Sequence, residues 1–187
     1  SYKRRINEIA LSSLKPRKFA RLLFRMVNYY QPDSVLELGT SLGITTAYLA
    51  SADEQKPVTT MEGAKAVAAL AGNNFKRLGL KNVSIIEGNF DYRLPQFIKT
   101  AAKVDFVYVD GNHRKEPTLK YFELLLEKIH DNSIIVFDDV HWSSEMEAAW
   151  DLIKAHSRVT LSIDLFFVGI VFFRPEQKIK QDFVIRF

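Results

Sequence analysis

Val35-Leu36-Glu37-Leu38-Gly39-Thr40-Ser41-Leu42-Gly43-Ile44-Thr45 is the stretch that decides the fold. An apolar, extended run enters a turn with glycines at 39 and 43, and a helical pattern begins directly behind it. A strand that feeds a glycine turn and then a helix is the opening unit of an open α/β sheet, where ligands bind beyond the carboxyl ends of the strands. Glycines let the backbone approach a ligand closely, and the first helical amides favour a carboxylate. A dinucleotide site would show G-x-G-x-x-G, whose second glycine makes room for a pyrophosphate. That position is Ser41, so NAD is disfavoured.

Outward from this turn, β-branched runs alternate with helical patterns. Strands are predicted at Ser34–Leu38, Val58–Glu62, Val83–Glu87, Val104–Asp110 and Ser133–Asp138. Helices are predicted at Thr45–Ala50, Ala64–Leu78, Tyr92–Thr100, Pro117–His130 and Ser144–His156. Gly79 is a usual helix stop, and Pro117 suits a first helical turn. Val159–Asp164 and Val168–Phe173 are joined by too few residues for a parallel crossover, so they should form an antiparallel hairpin. The expected fold is α/β, doubly wound, with a mostly parallel seven-stranded sheet ending in that C-terminal antiparallel hairpin. A length of 187 residues fits a single domain over 1–187, with a basic helical segment at 1–30 and a cofactor-binding core at 34–173.

Composition removes several classes of function. An apolar content of 47% is globular, and no apolar run reaches the roughly 18 to 20 residues of a membrane-spanning helix. No apolar stretch with a cleavage site follows Ser1-Tyr2-Lys3-Arg4-Arg5, so the sequence as given carries no secretory signature, and whether a segment precedes it stays open. Zero cysteines exclude disulfides, thiolate metal sites and cysteine nucleophiles, in keeping with a cytoplasmic setting. The net charge is +4, but Lys3, Arg4, Arg5, Lys15, Arg17, Lys18, Arg21 and Arg25 face only Glu8 within the first thirty residues. Such an end can meet nucleic acid, an anionic substrate or a membrane surface. The plainer reading is the solvated face of a helix whose apolar side is Phe19, Leu22, Leu23, Met26 and Val27.

The second predicted strand ends at Glu62, 21 residues after Ser41, where a carboxylate can accept hydrogen bonds from both hydroxyls of a ribose. That spacing serves any adenosine cofactor. Asp110 ends the fourth predicted strand and Asp138 and Asp139 the fifth, so all three acids are expected to face one crevice.

These segments also carry a resemblance. Glu37-Leu38-Gly39-x-x-x-Gly43-x-Thr45, Met61-Glu62-Gly63, Glu87-Gly88-Asn89, Val109-Asp110 and Phe137-Asp138-Asp139-Val140-His141-Trp142 resemble, in order, the motifs of class I S-adenosylmethionine-dependent methyltransferases. The likeness is strongest to the catechol and caffeoyl-CoA type of O-methyltransferase and spans Ser34 to Phe173. Asp110-Gly111-Asn112-His113 resembles the Asp-Gly-x-His variant of bacterial O-methyltransferase-like proteins. The resemblance implies a Rossmann-like methyltransferase fold with S-adenosyl-L-methionine as cofactor. Glu37 and the Gly39–Gly43 backbone would hold the methionine moiety, with Ser41 and Thr45 near its carboxylate. Glu62 and Gly63 would meet the ribose, Gly88, Asn89 and Phe90 the adenine, and Asp110 would border the cofactor. Asn89 departs from the aspartate usual at the third-strand turn, although an amide can still bond the adenine edge.

Methyl transfer to a hydroxyl requires alignment of the acceptor and removal of its proton. Asp110, Asp138 and Asp139 are candidate ligands for Mg²⁺ or a similar cation, which would lower the acceptor's pKa. His113, where the catechol type carries a lysine, is the expected base, with Asp110 beside it as the second catalytic candidate. His141 is the next candidate, Trp142 a candidate aromatic wall, and His130 and His156 are read as surface positions near helix ends. The expected partner is a small-molecule acceptor, and a homodimer is compatible with the sequence. An RNA methyltransferase is the alternative, against which stands the lack of an Asn/Asp-Pro-Pro-Tyr/Phe motif and of an added RNA-binding module. A non-catalytic binding protein of the same fold is the third reading, opposed by the intact Glu62, Asp110 and His113.

Overall fold

A computed structural model describes residues 16–187. Lys3, Arg4, Arg5, Glu8 and Lys15 of the basic segment lie outside the described residues. The described residues divide into two compact units, the first ending at Phe90 and the second running over Asp91–Phe187.

In the first unit, helix α1 (Arg17–Tyr30) buries Phe19, Ala20, Leu23, Met26 and Val27. Its basic side chains stay on the opposite face, as expected for an amphipathic surface helix. Strand β1 (Val35–Leu38) is buried at every position and leads through the glycine turn into α2 (Ile44–Ala52). Gly43 caps that helix at φ 79°, a backbone that L side chains rarely adopt, and a Cβ there would meet the Phe75 ring at 2.4 Å. Strands β2 (Val58–Glu62) and β3 (Val83–Glu87) add in parallel, in the order β3-β2-β1, with α3 (Lys65–Leu78) between them in sequence. Asn82 fastens the far end, its side-chain amide donating to the carbonyls of Ala50, Asp53 and Lys56 at 2.9–3.1 Å.

In the second unit, α4 (Phe90–Thr100) leads to β4 (Val104–Val109), α5 (Lys115–Leu126) and β5 (Ile129–Asp138). Strands β4 and β5 are parallel and almost wholly buried, as strands covered on both faces are. After α6 (Ser144–Ala155), β6 (Leu161–Asp164) and β7 (Val168–Phe172) form the expected hairpin, with β7 antiparallel to both β5 and β6. The α/β class, the mostly parallel strands and the antiparallel C-terminal pair therefore agree with the sequence reading.

Two features differ. The helix expected to reach His130 stops at Leu126, and Ile129 already pairs with Val104 in the ladder. The polar residues 130–133 form an irregularity rather than a helix end, because the Ser133 hydroxyl donates to the Val104 carbonyl at 2.6 Å and accepts from the His130 N–H at 2.9 Å. His130 thus lies in β5, with Nε2 2.8 Å from Asp105, and not on a helix terminus. The second difference is an eighth strand, β8 (Gln181–Val184), parallel to β6.

Candidate functional site

The glycine turn of the first unit is built around two carboxylates. Glu37 is fully buried within β1, and its Oε2 accepts hydroxyl hydrogen bonds from Thr60 at 2.6 Å and from Thr46. Thr40 and Thr60 share a further bond at 2.6 Å. Three threonines on the turn, on β2 and on α2 thus compensate a charge that burial alone would penalise heavily. Sequence reasoning singled out Glu37 and missed this shell, whose signal was a buried acid that must find donors.

Glu62, at the end of β2, reaches the same turn. Its Oε2 accepts the Ser41 N–H at 2.9 Å and its Oε1 the Ala64 N–H at 2.8 Å, which fixes the carboxylate and leaves each oxygen further lone-pair capacity. Ser41 holds a positive φ of 47°, a strained conformation for a residue with a side chain, and its buried Oγ has no hydrogen-bond partner. A buried hydroxyl of this kind, beside a held carboxylate and a glycine-flanked turn, fits a polar ligand lying against the turn. Gly39 sits at φ 110°, and its N–H and that of Thr40 donate to the Met61 carbonyl at 3.0 and 3.1 Å. Gly88 donates to the Glu62 carbonyl at 2.9 Å, bringing the end of β3 to the end of β2. Gly63 and Asn89 are exposed, Phe90 is half-buried, and Thr45 is buried in the first turn of α2.

In the second unit, Asp110, His113 and Asp138 each offer one ligand atom, and the three atoms lie within 4.8 Å of one another. Asp110 follows β4 directly, and its Oδ1 is 3.4 Å from His113 Nε2 while its Oδ2 is 3.4 Å from the Tyr108 hydroxyl. Asp138 closes β5 and is 1% exposed, so its carboxylate is part of the strand-end core. Asp139, the third acid expected from the sequence, does not join this group of three. It turns the chain at φ 53° and donates its N–H to the Phe167 carbonyl at 2.7 Å. The intervening loop is held by Asn112, at φ 67°, whose amide donates to the Tyr121 hydroxyl at 2.9 Å. Burial pushes the Tyr121 phenol up, beyond what the Asn112 bond returns, with Asp91 adding to the rise. Tyr121 therefore stays a neutral donor and acceptor under the loop.

His141, Trp142 and His156 lie outside the group of three in the second unit. His141 lies between two carboxylates, Nε2 2.8 Å from Asp164 Oδ2 and Nδ1 3.2 Å from Glu147 Oε1. Burial lowers its pKa, but the bonds to Asp164 and Glu147 outweigh that and hold it above the ordinary histidine value. Asp164 also accepts from Trp150 Nε1 at 2.9 Å and from the Phe166 N–H at 2.8 Å. Burial raises the Asp164 pKa, but the bonds from His141, Phe166 and Trp150 prevail and lower it. Trp142 is 74% exposed, so it does not serve packing. His156 caps α6 and meets the Phe122 ring edge-on, at 5.3 Å between centroids.

The chain shares its fold with an O-methyltransferase from Bacillus cereus, solved with SAH, at TM-score 0.72 and 23% identity over 89% of this chain and 90% of that one. It is similar to the O-methyltransferase TomG from Streptomyces achromogenes, involved in tomaymycin synthesis and solved with SAM, at TM-score 0.75 and 18% identity, covering 93% and 91% of the two chains. The SAH-bound methyltransferase PaMTH1 from Podospora anserina gives TM-score 0.76 at 17% identity, covering 87% and 81%. No curated protein matches the chain. The family model described as a methyltransferase domain matches residues 36–140, from β1 through the Asp138–Asp139 turn, and since this is more than half of the chain, the protein belongs to the methyltransferase domain family.

Proposed function

We propose that this methyltransferase moves the methyl group of S-adenosylmethionine to a hydroxyl oxygen of a small molecule. The observation that carries the choice of a hydroxyl is the group formed by Asp110, His113 and Asp138 at the ends of two adjacent parallel strands. A hydroxyl must lose its proton as the oxygen–carbon bond forms and the sulfur–carbon bond breaks. His113 takes that proton on the ring nitrogen turned away from Asp110, and Asp110, with Oδ1 3.4 Å from Nε2, orients the ring and stabilises the charge it gains. Glu62 accepts hydrogen bonds from the ribose hydroxyls, the Ser41 hydroxyl bonds the amino-acid end of the cofactor, and Glu37 keeps the turn in shape through its threonines. Bound S-adenosylmethionine supplies the electrophilic methyl carbon on a sulfonium.

The same three side chains present two carboxylate oxygens and an imidazole nitrogen, a mixed donor set that suits Mn²⁺ or Fe²⁺ as well as Mg²⁺. Asp110 and Asp138 would hold such a cation, which would lower the pKa of an acceptor oxygen, and Asp139 would support them through the turn. A cytoplasmic setting, with which the cysteine-free sequence is compatible, and a small acceptor rather than a nucleic acid complete the proposal. Among the described residues no helix is long and apolar enough to cross a membrane.

Methyl transfer to a panel of diols and phenols, followed by release of S-adenosylhomocysteine, tests the proposal. His113→Ala should lower the rate at neutral pH by about 10² to 10⁴ while cofactor affinity is retained. Chelation should abolish turnover if Asp110 and Asp138 hold a cation, and full activity in chelator would leave them only positioning roles. A fully active His113→Ala variant would refute the assignment of the base.

A further inference from the structure

Strand β8 ends the order β4-β5-β7-β6-β8, and every residue from 181 to 187 is exposed. Val184 is 86% exposed, and Phe183, Ile185 and Phe187 are each close to half exposed. An apolar edge strand is a template for another strand, and proteins that remain monomeric blunt such edges with charge, proline or a bulge.

The pairing with β6 shows which way the β8 backbone points. Gln181 and Ile185 donate their N–H groups to the Thr160 and Asp164 carbonyls at 3.1 and 2.8 Å, in a register running from Leu161↔Gln181 to Asp164↔Val184. By the two-residue period of a strand, Phe183 faces β6 as well, and the backbone groups of Asp182, Val184 and Arg186 face outward. Side chains obey the same period. Asp182, Val184 and Arg186 share one face of the strand, and Phe183, Ile185 and Phe187 share the other.

A second copy can add to this edge about a two-fold axis only if outward-facing residues meet outward-facing residues. With Phe183 on the axis, Lys180 would face the partner's Arg186, a like-charge pair. With Asp182 or Arg186 on the axis, a charge would face itself. With Ile185 on the axis, Val184 rather than Asp182 would face the partner's Arg186, and no pair of opposite charges forms between residues 182 and 186. With Val184 on the axis, Asp182 stands opposite the partner's Arg186 on both sides of the axis, and Phe183 stands opposite the partner's Ile185 on the other face. The Ser162 hydroxyl bonds Asp182 Oδ1 at 2.6 Å, which holds the carboxylate on the face where Arg186 would arrive. Cross-strand pairs of opposite charge and of large apolar side chains are the units that stabilise a sheet.

We infer that the β8 edge is a homodimer surface, on which β8 pairs antiparallel with β8 of a second copy about a two-fold axis at Val184. The inference stands independently of the chemistry assigned to the strand-end site. Sedimentation equilibrium of the full chain should show a concentration-dependent dimer. Arg186→Glu replaces two attractions by two repulsions and should weaken the dimer by roughly tenfold or more. Adding Asp182→Lys to that variant restores opposite charges and should recover most of the loss. Val184→Pro removes an outward N–H without touching the ladder to β6 and should also weaken the dimer. Because the chain has no cysteine, Val184→Cys introduces a single thiol. It would lie about 5.5 Å between Cα atoms from its own copy, within disulfide range, and should cross-link on mild oxidation much faster than Lys178→Cys. A chain that stays monomeric at every concentration would overturn the inference, as would a dimer indifferent to Arg186→Glu and Val184→Pro. Equal cross-linking at positions 184 and 178 would overturn the register. Circular dichroism of each variant separates lost pairing from lost folding, and Val184→Cys, a near-isosteric change at an exposed position, keeps the question answerable if the others unfold.

Discussion

At the scale of single residues, the glycine turn joins backbone constraint to chemistry. Gly43 must hold φ 79°, and the space where its side chain would lie is taken by the Phe75 ring at 2.4 and 2.6 Å. Gly43→Val should therefore cost at least about 2 kcal/mol, since it adds both backbone strain and overpacking. Urea unfolding measures this, and a variant as stable as the parent would show that the turn relaxes. Gly39, Gly43, Glu37 and Glu62 were legible in the sequence because strand-end motifs have fixed spacing along the chain. The donors to Glu37 were not, since Thr46 and Thr60 come from different elements and only the tertiary fold brings them to one oxygen. The strain at Ser41 escaped for a related reason. Its φ of 47° reflects a turn held by the bond from its own N–H to Glu62, 21 positions away.

At the scale of elements, the link between the β5–α6 turn and the β6–β7 hairpin is electrostatic. His141 and Trp150 both bond Asp164 Oδ2, and the Phe166 ring stacks on His141 at 5.3 Å between centroids. The His141 pKa is raised, so its contribution to stability is complete below the ordinary value of 6.5 and is lost as the pH rises through the folded value. The Asp164 pKa is lowered, so its contribution is complete above the ordinary 3.8 and is lost as the pH falls through the folded value. The pair is thus strongest between those two ordinary values. The difference in Tm between the parent and His141→Gln should be largest near about pH 5 and shrink above neutrality. A difference that does not change with pH would mean that His141 acts by packing alone. None of this was legible from sequence, where His141 looked like a second base, because Asp164 lies 23 residues away in another strand. Strand β8 was missed for a different physical reason. It is exposed at every position and shows no buried-face pattern, and Arg174-Pro175 before it reads as the end of the ordered sheet.

At the scale of the whole molecule, both compact units follow the alternation of strand and helix that the sequence carries. That alternation is legible because buried parallel strands require continuous apolar runs, and the helices between them require a period of 3.6. The acceptor is less legible, because exposed loop residues such as Trp142 carry no periodic signal. Calorimetric titration with S-adenosylmethionine, S-adenosylhomocysteine and NAD tests the central claim most directly. The parent should bind the first two saturably and NAD not at all, and Glu62→Ala should lose about 1.5 to 3 kcal/mol of S-adenosylmethionine affinity through its ribose hydrogen bonds, with the fold intact. Equal S-adenosylmethionine affinity in the parent and in Glu62→Ala, or a parent that binds NAD instead, would contradict the assignment of the cofactor site and of the methyl-transfer chemistry built on it.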